Sequence, residues 1–181
     1  GWHSTQADPV FTNPCGPGPV GAHLWVGTTA SPNRTIETVS YDLTNGSACF
    51  VEFWMKYGQA VGPGGPCETP DVGTEGVHLQ YSVNNGPWVD FPGPDLPPVG
   101  YTVNTQPTPI AFQTTVPGSG GYWTPVSQTT AAVNNRTLYY WNFYRSTIPA
   151  AAISPNTRFR WAQLVTSSAG FDAWGIDEVV I

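Results

Sequence analysis

The stretch TRFRWAQLVTSSAGFDAWGIDEVVI, residues 157–181, decides the fold class of this chain. In RFRWAQ the side chains alternate between polar and apolar, with Phe159 and Trp161 on one side and two arginines on the other. A period of two residues is the pattern of a β-strand with one buried face. The last residues are mostly apolar, and SSAG separates the two halves as a turn would. We therefore predict two strands, Thr157–Val165 and Ala173–Ile181, with Trp161 in the core.

The same strand pattern continues through the rest of the chain, and helical periodicity is nearly absent. VNNGPW at 83–88 carries an Asn-Gly pair between two strand-like runs, which is a strong hairpin signal. The other predicted strands are Ala22–Val26, Thr35–Asp42, Cys49–Tyr57, Gly76–Ser82, Trp88–Phe91, Ile110–Val116 and Arg136–Thr147. Many short strands separated by Pro/Gly-rich turns indicate an all-β protein. We expect one antiparallel β-sandwich spanning residues 1–181.

The composition argues against several classes of partner. The net charge is −6, Lys56 is the sole lysine, and only 10% of residues are charged. Nucleic acids and anionic lipids need clustered basic residues, so we expect no nucleic-acid partner. No apolar run approaches the ~20 residues of a membrane helix, so we expect no membrane insertion. The chain starts without Met and stops on a predicted strand, so we expect a module excised from a larger protein.

The three cysteines predict one disulfide and one free thiol. Cys15 and Cys67 lie in Pro/Gly-rich sequence, NPCGPG and GGPCETP, whereas Cys49 lies on the apolar face of a predicted strand. A free cysteine in such a position behaves as a small hydrophobic residue. We therefore expect a Cys15–Cys67 disulfide and a buried, reduced Cys49. A disulfide indicates an extracellular, oxidising setting.

No sequence motif points to catalysis. The spacings of zinc sites, zinc hydrolases and serine esterases are absent. A glycosidase needs two carboxylates facing a cleft, and the twelve acidic residues select no pair. We expect a protein that is not an enzyme, with a small glycoside hydrolase as the third alternative.

Aromatic residues are the most unusual feature of the composition, at 13%. In YYWNFY, residues 139–144, alternation places Tyr139, Trp141 and Phe143 on one face, which we predict to be the core face. Tyr122 and Trp123 lie beside a glycine run, and Tyr101 lies in a long Pro/Gly-rich loop. Exposed aromatic rings stack on sugars or anchor protein partners. Tyr101, Tyr122 and Trp123 are therefore our candidate ligand-binding residues, and packing over the sandwich edge is the alternative.

Ordered blocks of this sequence resemble the reelin-type repeat, a jelly-roll β-sandwich of extracellular proteins. The blocks are CGPGPVGAHLWVG, RTIETVSYDLT, VEFWMKYG, CETPDVGTEGVHLQYSVNNGPW and the closing TRFRWAQLVTSSAGFDAWGIDEVVI. They cover most of the chain from about Cys15 to Ile181. The resemblance implies a jelly-roll fold and an extracellular module. Similar modules in bacterial surface and secreted proteins make that source the expected one.

The carboxylates of the closing strand raise a question of burial. Side chains alternate along a strand, so we expect either Asp177 or Glu178 near the apolar interior, where a charge needs a partner or a metal. The resemblance suggests two partners. Arg34 lies in the matching RTIET block, and the closing-strand Asp ligates Ca²⁺ in similar modules. For a structural Ca²⁺ site we predict Asp177, then Asp8 from the N-terminal segment, then Asp42 from the Asp-Leu pair.

The leading function is therefore a non-catalytic extracellular recognition or adhesion module of a larger surface or secreted protein. A carbohydrate-binding module is the alternative, since that class shares the jelly-roll fold and uses aromatic platforms. The expected partners are a glycan or a cell-surface protein, together with neighbouring domains of the parent chain.

Overall fold

The computed structural model describes residues 2–4, 7–10, 22–27, 33–46, 49–57, 76–92, 99–100, 112–114, 121–123, 141–166 and 172–181. These ranges contain thirteen β-strands and one 3₁₀ turn, Ala150–Ala152. The strands are β1 (Trp2–Ser4), β2 (Ala7–Val10), β3 (His23–Val26), β4 (Arg34–Thr38), β5 (Phe50–Tyr57), β6 (Val77–Val83), β7 (Val89–Asp90), β8 (Val99–Gly100), β9 (Phe112–Thr114), β10 (Gly121–Trp123), β11 (Asn142–Thr147), β12 (Thr157–Gln163) and β13 (Trp174–Val180). No helix within the described ranges is long and apolar enough to cross a membrane.

The strands form two antiparallel sheets, and their order is that of a jelly roll. Sheet 1 has the order β1-β4-β12-β6-β10-β9, with β7 paired to β6, and sheet 2 has the order β2-β3-β13-β5-β11-β8. If the eight strands β3, β4, β5, β6, β10, β11, β12 and β13 are counted along the chain, sheet 2 joins the first, eighth, third and sixth. Sheet 1 joins the second, seventh, fourth and fifth. Apart from the fourth and fifth, successive strands of this set lie in opposite sheets, as in a double Greek key, and the predicted all-β, jelly-roll sandwich is confirmed.

The core lies between the sheets and is built from alternate residues of each strand. Trp161 of sheet 1 meets Phe53 of sheet 2 edge-on, with ring centroids 5.2 Å apart. Phe53 also stacks on Tyr144 at 5.4 Å. The exposed fraction of Trp161 is 0%, which confirms its predicted core position. Other buried core side chains are Val26, Ile36, Val51, Met55, Leu79, Phe159, Trp174 and Ile176.

The nine predicted strands all occur, with ends shifted by a few residues. Arg136–Thr147 is the largest difference, because the described strand begins only at Asn142. Four strands were not predicted: β1, β2, β8 and β10. They have two to four residues, which is too short for an alternation to be recognised in sequence.

The hairpin predicted at 83–88 is present, one residue earlier than its Asn-Gly pair suggested. Asn84 and Asn85 are the central residues, with φ of 51° and 59°, and the Gly86 amide donates to the Val83 carbonyl at 2.8 Å. Positive φ at both central residues is the type I′ turn that joins twisted antiparallel strands, and asparagine tolerates it.

The face prediction for YYWNFY is wrong. Tyr144 is fully buried in the core, whereas Phe143 is half-buried and packs on Trp54, with ring centroids 5.5 Å apart. Trp141 is also buried, but it lies against His23 on the outward side of sheet 2, at 5.1 Å. The composition of the two faces could not decide the orientation, because both carry aromatic rings.

A β-bulge explains the carboxylates of the closing strand. Asp177 pairs with Trp54 and Val180 pairs with Glu52, so three steps on β13 match two on β5. Glu178 is the extra residue, with φ of 47°, and the bulge leaves it exposed. Asp177 lies in the outward row, because its neighbour Ile176 faces the core. The prediction of a carboxylate near the interior is therefore wrong, since strict alternation stops at the bulge.

Candidate functional site

The outward face of sheet 1 gathers polar side chains from four neighbouring strands and a turn. On β12, Phe159 and Trp161 point into the core, so Arg158 and Arg160 point outward. Arg160 pairs with Glu37 of β4 on one side and with Gln80 of β6 on the other. Paired residues of an antiparallel sheet share a face. We call this surface the Trp88 face; it comprises Glu37, His78, Gln80, Trp88, Asp90, Arg158 and Arg160.

A chain of hydrogen bonds runs across the Trp88 face. Arg160 donates through Nε to Gln80 Oε1 at 2.6 Å, and Gln80 donates through Nε2 to Asp90 Oδ1 at 2.7 Å. His78 Nδ1 lies 3.1 Å from the same Asp90 oxygen. The geometry fixes the orientation of the Gln80 amide, because its oxygen accepts from Arg160 and its nitrogen donates to Asp90. These side chains thus hold one another in place.

The tryptophan of this face packs on the two arginines. The guanidinium carbon of Arg160 lies 4.3 Å from the centroid of the Trp88 ring, and that of Arg158 lies 5.2 Å away. Both distances are in the range of cation–π attraction. The same arginines reach Glu37, with nitrogen–oxygen distances of 3.9 Å for Arg160 and 3.7 Å for Arg158. The indole itself is half-buried.

The hairpin after β6 positions Trp88. Its type I′ turn is reinforced by Ser82, whose hydroxyl donates to the Gly86 carbonyl at 2.7 Å. The returning strand β7 places Asp90 opposite Gln80. The buried Phe91 anchors its end, since its amide donates to the Leu79 carbonyl at 2.9 Å. The ring and the carboxylate are therefore held by a rigid element.

The electrostatics of the face keep Asp90 ionised. Burial by itself raises the pKa of Asp90, but hydrogen bonds from His78 and Gln80 and the charge of Arg160 outweigh burial, so the net pKa is lowered. Burial lowers the pKa of Arg160 below its ordinary value, while Glu37 and Asp90 oppose that change. Arginine stays charged at neutral pH in any case. The face thus presents fixed donors, fixed acceptors and one aromatic ring.

The predicted aromatic residues fall mostly outside what the structure describes. Tyr101 lies outside the described residues, and only the backbone is described for Tyr122 and Trp123. Trp123 pairs with Val77, which is buried, and Tyr122 pairs with Gln113. Strands β10 and β6 are antiparallel, so the residue before Trp123, Tyr122, lies opposite the residue after Val77, His78. The backbone of Tyr122 is therefore next to the Trp88 face. The ligand-binding roles of these three residues stay predictions.

The three acids predicted to bind Ca²⁺ are not brought together by the structure. Asp177 lines a groove with His23 and Glu178, and its Oδ1 accepts the Glu178 amide at 2.9 Å. Asp42 lines a different groove, with Val180 and Ile181. Its carboxylate closes a local turn by accepting from the Thr44 amide at 3.0 Å and the Thr44 hydroxyl at 2.6 Å. These bonds lower the pKa of Asp42.

The third acid, Asp8, lies on β2 opposite Trp25, and β3 separates β2 from β13. Since Trp25 pairs with Gly175, Asp8 is two strands and two residues from Asp177. This is on the order of 12 Å between Cα positions. Among the described side chains no three of His, Cys, Asp and Glu cluster as metal ligands. The described residues therefore do not supply a three-carboxylate Ca²⁺ site.

The hydrogen bonds described for Arg34 lie on the core side, whereas Asp177, its predicted alternative partner, lies in the outward row of sheet 2. Arg34 is fully buried at one end of the core, where its Nη1 donates to Gln163 Oε1 at 3.2 Å and to the Asp172 carbonyl at 3.1 Å. Gln163 donates to the same carbonyl at 3.0 Å and accepts from Trp174 Nε1 at 3.1 Å. Because Arg34 and Gln163 belong to sheet 1 and Trp174 to sheet 2, this network joins the two sheets.

Only one of the three cysteines, Cys49, lies within the described residues. Cys49 is a free thiol, as predicted, although it is half-buried at the core margin rather than fully buried. Cys15 and Cys67 lie outside the described residues, so their disulfide stays a prediction.

Residues 100–181 are similar to the family model described as Reelin subrepeat B. The match includes β12, with Arg158 and Arg160, but the other Trp88-face residues precede it. The match covers less than half of the chain, and its description agrees with the reelin-type repeat that the ordered sequence blocks resemble.

Sequence reasoning identified the strands of the Trp88 face without identifying the site. The signal was the alternation itself: VHLQYS puts His78 and Gln80 opposite Val77 and Leu79, and RFRWAQ does the same for the arginines. What was missing was the knowledge that β6 and β12, about eighty residues apart in the chain, are neighbours.

Proposed function

We propose that this domain is a non-catalytic extracellular recognition module of a surface or secreted protein and that it binds a glycan on the Trp88 face. One observation carries the proposal: Trp88 is stacked on Arg160 within a row of hydrogen-bonded polar side chains. An indole ring packs on the C–H face of a sugar, and carboxylate, amide and guanidinium groups fixed beside it bond the hydroxyls. The combination suits a glycan better than a protein partner, which would need a larger apolar centre.

A hydrolase on the same face is less well supported. A glycosidase needs one carboxylic acid whose pKa is raised so that it can protonate the leaving group. The pKa of Asp90 is shifted in the opposite direction, because His78, Gln80 and Arg160 stabilise the carboxylate. Asp90 therefore serves as a hydrogen-bond acceptor, and an assay for new reducing ends on a bound polysaccharide tests this assignment.

The test of the proposed function is affinity electrophoresis and titration calorimetry against a panel of soluble polysaccharides. Replacing Trp88 with Ala is expected to weaken any detected binding by about tenfold or more, since a central tryptophan contributes roughly 2 kcal/mol. Trp54→Ala is the matched control, because Trp54 is also half-buried but lies on the outward side of sheet 2. Equal binding by wild type and Trp88→Ala, with both folded by circular dichroism, would refute the assignment.

We also keep Ca²⁺ as a proposal for Asp177 alone. Asp177 and Glu178 lie side by side in one groove, which supports this proposal. Carboxylate oxygens are the ligands that Ca²⁺ prefers.

A further inference from the structure

We infer that the Trp88 face selects uncharged glycans and excludes acidic ones. This inference rests on the proposed function and adds the chemical class of the ligand. It follows from how the charges of the face are interleaved, one carboxylate on each side of Arg160.

The charges of the face balance. With His78 counted as neutral, Arg158 and Arg160 supply two positive charges, and Glu37 and Asp90 supply two negative charges. Glu37 lies within 4 Å of both arginines, with contacts of 3.7 and 3.9 Å. Asp90 is linked to Arg160 through the Gln80 amide. Neither guanidinium therefore offers a positive charge without a neighbouring carboxylate.

An acidic sugar would meet those carboxylates. A carboxylate or sulfate approaching either arginine comes close to Glu37, and one approaching from β7 comes close to Asp90. These side chains are partly shielded from solvent, with exposed fractions of 17–30%, so repulsion between like charges is screened less than on an open surface. The chain's net charge of −6 adds repulsion at longer range.

A neutral sugar meets no such obstacle. A carboxylate accepts about four hydrogen bonds, and among the described residues the bonds from Gln80 and His78 both go to Asp90 Oδ1. Arginine has five N–H donors, of which Arg160 gives one to Gln80. Hydroxyl groups both donate and accept, so adjacent hydroxyls of one sugar can use a carboxylate and a guanidinium together, while the ring lies on Trp88.

The experiment compares neutral probes, mixed-linkage β-glucan and glucomannan, with acidic probes, alginate and polygalacturonate. Wild type is expected to bind a neutral probe, with affinity changing less than about twofold between about 50 mM and about 500 mM NaCl, because no ion pair forms. The double variant Glu37→Gln/Asp90→Asn leaves two arginines on the face and is expected to gain binding to alginate that weakens with salt. Glu52→Gln/Glu178→Gln is the matched control, since it makes the same change of net charge on sheet 2.

The outcomes separate the two proposals. Wild type that binds an acidic probe more tightly than either neutral probe, in a Trp88-dependent and salt-sensitive way, overturns the inference and leaves glycan binding in place. An alginate gain that the control variant reproduces also overturns it, because net charge and not the face would be responsible. No binding of any probe, with Trp88→Ala indistinguishable from wild type, overturns the proposed function itself.

Discussion

Lys56 is the only lysine of the 181-residue chain, and only 1% of its surface is exposed. It lies on the outward side of sheet 2, paired with Gly175, whose missing side chain leaves room for large rings. A Cβ at Gly175 would come within 2.8 Å of Trp25 and 3.0 Å of Trp141. Burial lowers the pKa of Lys56 from 10.5 to about 8. A buried ammonium group in aromatic surroundings is therefore a cost to stability at neutral pH.

The lowered pKa of Lys56 predicts how stability depends on alkaline pH. Between pH 8 and 10.5 unfolded Lys56 holds its proton whereas folded Lys56 has lost it, so the free energy of unfolding rises with pH in this window. Across this window the free energy of unfolding rises by roughly 3 kcal/mol, which follows from the size of the pKa shift of Lys56. Lys56→Met should remove this rise and be more stable than wild type at pH 7. Urea denaturation of both proteins across the window measures the difference, and parallel curves for the two would contradict it.

At the scale of elements, the bulge in β13 allows a segment with two adjacent carboxylates to form the last strand of a sandwich whose core is apolar. The extra residue turns Glu178 outward, and after it Val179 returns to pack at the core margin. The hairpin between β6 and β7 is the second such device, because its turn fixes Trp88 and Asp90 on the outward face. In both places the backbone adopts positive φ at residues other than glycine.

The positive φ at Glu178 predicts opposite effects for two substitutions. Glu178→Val is expected to destabilise by about 1–2 kcal/mol, because β-branched residues disfavour this backbone region. Glu178→Gly should be neutral or slightly stabilising, since glycine adopts positive φ freely. Glu178→Gln is the control for loss of charge, and thermal melting ranks the three variants. A Glu178→Val melt that coincides with that of Glu178→Gln would show that the bulge carries no such strain.

At the scale of the whole molecule, each outward face has its own character. Sheet 1 carries the polar Trp88 face, and sheet 2 carries the aromatic and charged residues around Trp54, Trp141 and Lys56. Between them, one end of the core is held by the Arg34–Gln163–Trp174 network, which ties the two sheets by directional hydrogen bonds.

The Ca²⁺ proposal predicts a change in the stability of the whole domain. If Asp177 ligates Ca²⁺, the ion binds the native state only, and a concentration of ~100 Kd contributes about 2.7 kcal/mol. The melting temperature should then rise by roughly 5–10 °C relative to EDTA, and Asp177→Asn should abolish the response. Identical melts of wild type in EDTA and in Ca²⁺ would show that β13 is held by its neighbouring strands alone.

The sequence by itself determined the fold class, nearly all the longer strands and the buried position of Trp161. These follow from local alternation, which is a property of a few adjacent residues. Only the tertiary structure decided which strands are neighbours, and with it the Trp88 face, since Glu37, Gln80 and Arg160 come from three distant segments. It also decided the orientation of YYWNFY and of the closing strand. The orientation of YYWNFY could not be read from the sequence because aromatic rings occupy both of its faces. In the closing strand, Glu178 has positive φ and forms a bulge, so the side chains no longer alternate as the sequence argument assumes.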